Sequence, residues 1–296
     1  MIPLSISATE VASKLSGIAL TSPEGVDSVD SETVSLVSCI GKLRGSSQPL
    51  LATASDGAYY VVKFQTDLVG LNTLFNEAAG TELYRALGLP VPEWRQVNVS
   101  EKFFERNRSW FHAEANGNRV PRTGIAFGSR FVSGSKMRIM EVLPSAAFKR
   151  IDQPERFWLA WLVDVCAFHS DNRQAIFTQG ERTNLGTVFI DHGRMFGGAA
   201  GDERPHPIAC RYLDSRIYPE LPRGVQRRIV EKLMAMDLEV LKIKISHLPE
   251  SWVTDSGAKT FLEALHRLAQ RGVWDNVLEE ITQLMSARND DESDSK

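Results

Sequence analysis

Lys63 is the one cation in the run Tyr60-Val61-Val62-Lys63-Phe64, whose other members all favour strands. A strand lysine often does no more than guard an exposed edge. One that reaches into a cleft to hold a phosphate looks the same. Glu77 follows in a helical pattern, where it can pair with that ammonium, although the helix dipole alone also favours an acid in a first turn. Further on, Phe168-His169-Ser170-Asp171-Asn172-Arg173-Gln174-Ala175-Ile176-Phe177 sets a compact polar cluster between apolar segments. Phe189-Ile190-Asp191-His192-Gly193 ends an apolar run on a carboxylate and a glycine turn. Polar groups so close to a core either cap a helix or do chemistry. The chemistry that suits them is phosphoryl transfer, which uses one carboxylate near the attacking oxygen and a second acid to hold Mg²⁺ on a nucleotide. Asp171 and Asp191 occur in that order. Gly41-Lys42-Leu43-Arg44-Gly45-Ser46-Ser47 adds glycines that let backbone amides approach phosphate oxygens. It lacks a GxGxxG spacing and, taken alone, reads first as a plain loop.

The elements that must position these residues are legible in part. Ser55-Asp56-Gly57 between Leu50–Ala54 and Ala58–Phe64 predicts a hairpin, because such turns require a positive φ that Gly tolerates. A helix is expected over roughly 72–87 from the spacing of Phe75, Ala79, Leu83 and Leu87, stopped by Gly88 and Pro90. Val91–Val99 and Gly124–Val132 read as strands. Phe157–Phe168 is apolar nearly all round apart from Asp164, as a helix buried on several sides would be. Val188-Phe189-Ile190 reads as a short buried strand. From Gly224 onward helical spacing dominates: Val225, Ile229, Leu233 and Met236, then Phe261, Leu265 and Leu268, then Val277, Ile281 and Leu284.

This order predicts an α+β chain with a β-rich first lobe carrying one helix, a mainly helical second lobe and a cleft between them. The expected divisions are an arm over 1–30, the first lobe over 31–132, the second over 133–288, and an acidic tail over 289–296 with nothing to bury. At 296 residues, 43% hydrophobic and 24% charged, the chain can bury a real core. A net charge of −3 argues against a nucleic-acid-binding surface. No apolar run approaches the roughly 20 residues of a membrane span, and the start lacks the basic and apolar regions of a signal peptide. Cys39, Cys166 and Cys210 are odd in number and in no metal-ligand spacing, which fits a reducing, cytoplasmic setting.

Lysine strand, glutamate helix, Asp loop and Asp-Xaa-Gly together resemble the kinase plan. Ser55-Asp56-Gly57, Val61–Phe64, Asn76-Glu77 and Leu87-Gly88-Leu89-Pro90-Val91-Pro92 resemble the first lobe of the HipA-like kinase family. So do Phe127-Gly128-Ser129-Arg130 and the pairing of Asp171–Phe177 with Ile190–Gly193, over about residues 36 to 200. The resemblance implies a two-lobed protein-kinase-like fold with ATP and Mg²⁺ as cofactors. It implies that Gly45, Ser46 and Ser47 lie over the phosphates, that Lys63 holds them with Glu77 as its partner, that Asp171 accepts or orients the acceptor proton, and that Asp191 binds Mg²⁺. Kinases place an Asn metal ligand five residues after the catalytic Asp. That position here is Ile176, and in a loop two residues shorter Gln174 takes the place of the Asn. The chain also lacks obvious room for the extra N-terminal subdomain of HipA toxins. The activity implied is transfer of the ATP γ-phosphoryl to a hydroxyl on an unidentified protein. A nucleotide-binding pseudokinase and a lipid or small-molecule kinase are the alternatives, the last disfavoured by the absence of a basic membrane-binding helix.

Overall fold

The computed structural model describes residues 33–45, 47–65, 70, 72–111, 122–134, 136–181 and 183–293. Ser46 and the arm over 1–30 lie outside the described residues. The fold is α+β. Strands β1 (Thr33–Lys42), β2 (Leu50–Ala54), β3 (Tyr59–Lys63), β4 (Trp94–Val99) and β5 (Gly124–Arg130) close into a barrel in the order β1-β2-β3-β5-β4. The β2–β3 hairpin turns at Ser55-Asp56-Gly57, with Gly57 at φ 77°. Asp56 secures it by accepting from Ala58 N at 3.0 Å and from the Tyr60 hydroxyl at 2.7 Å.

Strand β1 departs from the expected layout. Bulges between Leu36 and Ser38 and between Cys39 and Gly41 break its register with β2, and with it the alternation that marks a strand. Gly41 and Lys42 therefore belong to β1, and the glycine-containing loop shrinks to the turn that Leu43 N closes on Pro49 O at 2.8 Å.

Helix α1 (Thr73–Ala86) is buried from Thr73 through Tyr84 rather than along one stripe, because it is covered by the barrel on one side and by helices on the other. A short second helix, α2 (Glu101–Arg106), corrects the expectation of one helix in the β-rich part. Ser100 caps it by accepting from Phe103 N at 3.2 Å, and Phe103 buries against the barrel core. Six residues are too few for a 3.6-residue period to show.

The remainder is mainly helical but is not helix alone. Strands β6 (Arg138–Met140), β7 (Gln174–Gln179) and β8 (Gly186–Ile190) form an antiparallel sheet in that order. Helix α3 (Arg156–Cys166) is buried along almost its whole length and anchors the largest core cluster, which also takes in α1, α4 (Arg223–Met234), α5 (Leu238–Ser246), α6 (Asp255–Ala269) and α7 (Arg271–Ser293). Helix α7 (Arg271–Ser293) continues through residues 289–293, where composition predicted an unstructured tail. Once buried Trp274, Val277 and Ile281 have anchored it, each further residue needs to add only one hydrogen bond. The three cysteines are free. Among the described residues no helix is long and apolar enough to cross a membrane.

Candidate active site

A cleft of about 510 Å³ lies between the barrel and the β7–β8 sheet. Leu43, Val61, Phe127 and Phe131 line it from the barrel, and Ile176 and Ile190 from the sheet. Lys63 stands at its inner end because β3 ends there, in register with Phe127 of β5. The Lys63 ammonium is paired with Glu77 of α1 and lies 2.8 Å from Asp191 Oδ1.

Lys63 is 8% exposed and Glu77 2%. Burial by itself would lower the lysine pKa, but the facing carboxylates of Asp191 and Glu77 outweigh it and hold the ammonium above the ordinary lysine range. The same environment splits the two acids. Burial dominates at Glu77 and lifts its carboxyl despite Lys63. At Asp191 burial is again the largest influence, but the charge and hydrogen bond of Lys63 together with Glu77 and Arg173 outweigh it, and the carboxyl lies below the usual range. The Asp191 side chain keeps 33% exposure where it lines the cleft.

Register brings the other parts together. Gln174 opens β7 opposite Ile190 of β8, so its amide nitrogen donates to Asp191 Oδ2 at 3.0 Å. Asp191 itself has a left-handed backbone, φ 62°, unusual for a residue other than Gly. The next amide, His192 N, donates to Glu77 Oε2 at 3.1 Å. Gly193 follows because a Cβ there would lie 2.7 Å from Glu77 Oε1. The glutamate thus receives the lysine with one oxygen and the turn after Asp191 with the other.

Of the residues singled out from sequence, Lys63, Glu77, Asp191 and Gln174 meet in one cluster, and Gly45 lines the cleft beside Arg44 and Pro49. Ser46 lies outside the described residues, and Ser47 is not part of the cleft wall. Asp171 stands apart. It is exposed, its Oδ1 accepts from Asn172 N at 2.7 Å, and Asn172 rather than Asp171 lines the cleft.

Reading by sequence missed the second polar centre, directly behind the first. Arg173 donates to both oxygens of Asp164 in α3, Nε to Oδ2 at 2.8 Å and a terminal nitrogen to Oδ1 at 2.7 Å. Its other terminal nitrogen donates to the carbonyls of Ile190 and Asp191 at 2.9 and 3.1 Å. The lone acid in an otherwise apolar helix was the available signal, since a fully buried carboxylate needs a partner.

Solved structures that resemble the chain include kinases. The Helicobacter pylori proinflammatory kinase CtkA superposes with a TM-score of 0.50 at 12% identity, over 82% of this chain and 96% of that one, a likeness of fold. The Golgi casein kinase matches with a TM-score of 0.44 at 13% identity, over 84% of this chain and 71% of that chain. No curated protein matches the chain. The model of the family described as HipA-like kinase matches residues 38–277, well over half of the sequence, and this chain belongs to the HipA-like kinase family.

Proposed function

We propose that the protein is an ATP- and Mg²⁺-dependent kinase that transfers the γ-phosphoryl group to a hydroxyl, on Ser or Thr of a protein acceptor. The barrel with α1 is the first lobe, the helical part with the β6–β8 sheet is the second, and the cleft between them takes the nucleotide. The observation that carries this reading is Lys63, held between Glu77 and Asp191 at the end of an apolar-walled cleft. The apolar faces suit a purine base, and a cation fixed by two acids is pre-positioned for phosphate oxygens. The residues also fit a magnesium ion. Asp191 and Gln174 stand side by side, with the glutamine amide nitrogen donating to Asp191 Oδ2. With that amide turned over, Gln174 would set a second oxygen beside the carboxylate, few ligands in all, as suits an ion that relies on one or two carboxylates plus substrate phosphates. When bound, Mg²⁺ would neutralise charge on the phosphates.

The chain's own residues do the rest. Lys63 binds the phosphates, and Glu77 keeps its ammonium aimed into the cleft. The amides of the turn at Gly45 cover the phosphates from the barrel side. Asp171, exposed on the outer side, is open to an acceptor and takes its hydroxyl proton as the acceptor oxygen bonds to phosphorus and ADP departs.

Calorimetric titration with a non-hydrolysable ATP analogue, with and without Mg²⁺, tests the site. Lys63→Ala removes charge-assisted contacts of about 1.5–3 kcal/mol, so affinity should fall roughly 10- to 100-fold. Asp191→Asn should abolish the Mg²⁺ dependence. Unchanged affinity in both variants would contradict the site. A second reading, nucleotide binding without transfer, is favoured by the position of Asp171 outside the cleft wall. Labelled-phosphate transfer that is lost in Asp171→Ala supports the kinase. Tight Mg²⁺-dependent binding with no transfer to any protein, including the chain itself, supports the second reading.

A further inference from the structure

We infer that Arg173 is the positioning residue of the metal site: its guanidinium holds the backbone at Asp191 and the neighbouring Gln174 so that their side chains converge in the cleft. This role rests on the reading of the cleft as a Mg²⁺-nucleotide site. A guanidinium carries five N–H donors in a rigid plane, and here all are engaged. One edge grips both oxygens of Asp164. The other edge reaches the carbonyls of Ile190 and Asp191. The fifth donor points to Nδ1 of His169 at 3.3 Å, and Nδ1 of His192 lies 3.3 Å from the nitrogen that serves the two carbonyls. Arg173 is 2% exposed and Asp164 0%, so no water competes for these donors.

What this arrangement fixes is specific. Left-handed backbone at a residue other than Gly persists only where surrounding bonds over-determine it. At Asp191, Arg173 binds the carbonyl before it and its own carbonyl, while Glu77 binds the amide after it. Arg173 also immediately precedes Gln174, so one buried group locates the start of β7 and the end of β8 together. Asp164 in turn accepts from the Tyr84 hydroxyl at 2.8 Å, and Tyr84 lies on the helix that carries Glu77. The lysine's partner and the metal acid are thereby referred to the same buried carboxylate. A lysine in place of Arg173 has three donors and no plane, and cannot grip both sides.

The test measures Mn²⁺ and Mg²⁺ binding to the full chain saturated with the ATP analogue, alongside analogue affinity without metal and thermal melting. Groups that orient metal ligands typically change metal affinity by about 10- to 100-fold when replaced. Arg173→Lys should therefore raise the half-saturating metal concentration at least about tenfold, with metal-free analogue affinity little changed. Tyr84→Phe keeps the Arg173–Asp164 pair but loosens Asp164, and should raise it about threefold. A role confined to holding the fold together lowers the melting temperature and leaves the metal affinity of the folded protein alone; that result overturns the proposal. If Arg173→Lys does not fold, Tyr84→Phe decides, and unchanged metal affinity there has the same force. Wild-type binding of the analogue without any metal dependence overturns the reading of the cleft itself, and is told apart by needing no variant.

Discussion

His169 and His192 flank the Arg173 guanidinium, each with Nδ1 3.3 Å from one of its nitrogens, and because arginine only donates, a ring bonds to it there only through an unprotonated Nδ1. A neutral ring with its proton on Nε2 is the form that suits each of these contacts. Burial, reinforced by the adjacent Arg173 charge, holds both imidazoles well below the usual histidine pKa of 6.5. The sign of the linkage follows. Below about pH 6.5 the unfolded chain binds protons that the folded chain refuses, so these rings withdraw stability as pH falls from 7 toward 5. The loss amounts to at most about 1.4 kcal/mol per pH unit for each ring. Ring resonances of His169 and His192 followed by NMR should stay in the neutral form between pH 7.5 and 5.5; a midpoint near 6.5 for either would refute the assignment. Glu77, lifted by burial, takes up a proton at the acid end and works in the opposite sense, which is why the ring signals decide better than a melting curve.

Helix α1 sets the distance between the lysine strand and the turn after Asp191. Its Gly80 faces that turn so closely that an added Cβ would lie 2.6 Å from both the His192 Cβ and the Met195 Sδ. Both neighbours are essentially fully buried and have nowhere to move. Gly80→Ala improves helix propensity by about 1 kcal/mol, yet overpacking of a tight core costs about 1–3 kcal/mol. The net expectation is a chain destabilised by up to about 2 kcal/mol, read as a lower urea midpoint, with α1 pushed away from the cleft. A stabilised Gly80→Ala protein would show that the helix yields at this point. The β7–β8 pairing is equally demanding, because a one-residue slip would turn Gln174 to the other face and away from Asp191.

At the scale of the whole molecule, distant segments are joined through single buried amides. Asn72, fully buried just before α1, accepts from Thr254 N and Thr254 Oγ1 at 2.8 and 3.0 Å, and its own nitrogen donates to Ala199 O at 3.3 Å. Asn76, one turn on, donates to the carbonyls of Gly193 and Gly198. The segment that follows Asp191 is thus tied to the Glu77 helix at one end and to α6 at the other. Replacing Asn72 by Ala leaves the part-buried Thr254 amide without its partner, at a cost of about 1–3 kcal/mol, while the Ala199 carbonyl keeps only the backbone amide of residue 72. Asn72→Ala should lower the urea midpoint and make the chain more readily cut by trypsin after Arg194 or Arg204. Cleavage at the wild-type rate would mean that the segment is held by other contacts. Trp252 adds a further tie, its indole donating to Ile125 O of the barrel at 3.1 Å.

The sequence by itself determined whatever depends on neighbours along the chain. The Asp56-Gly57 hairpin, the extent of α1, the buried α3 and the strands that deliver Lys63 and Asp191 follow from turn chemistry and periodicity. The resemblance of the motifs supplied the family. Tertiary structure decided what depends on groups far apart in the chain. Bulges hid β1, shortness hid α2, and no local pattern announces that Asp164 pairs with Arg173 or that Asn72 meets Thr254. The candidate centre shows the same division. Lys63, Glu77, Asp191 and Gln174 were nameable as polar residues at the ends of apolar elements. That they share one ion-pair cluster, while Asp171 stands outside it, depends on strand register and on the left-handed turn at Asp191. Both are held by buried hydrogen bonds across the fold rather than by the residues next door.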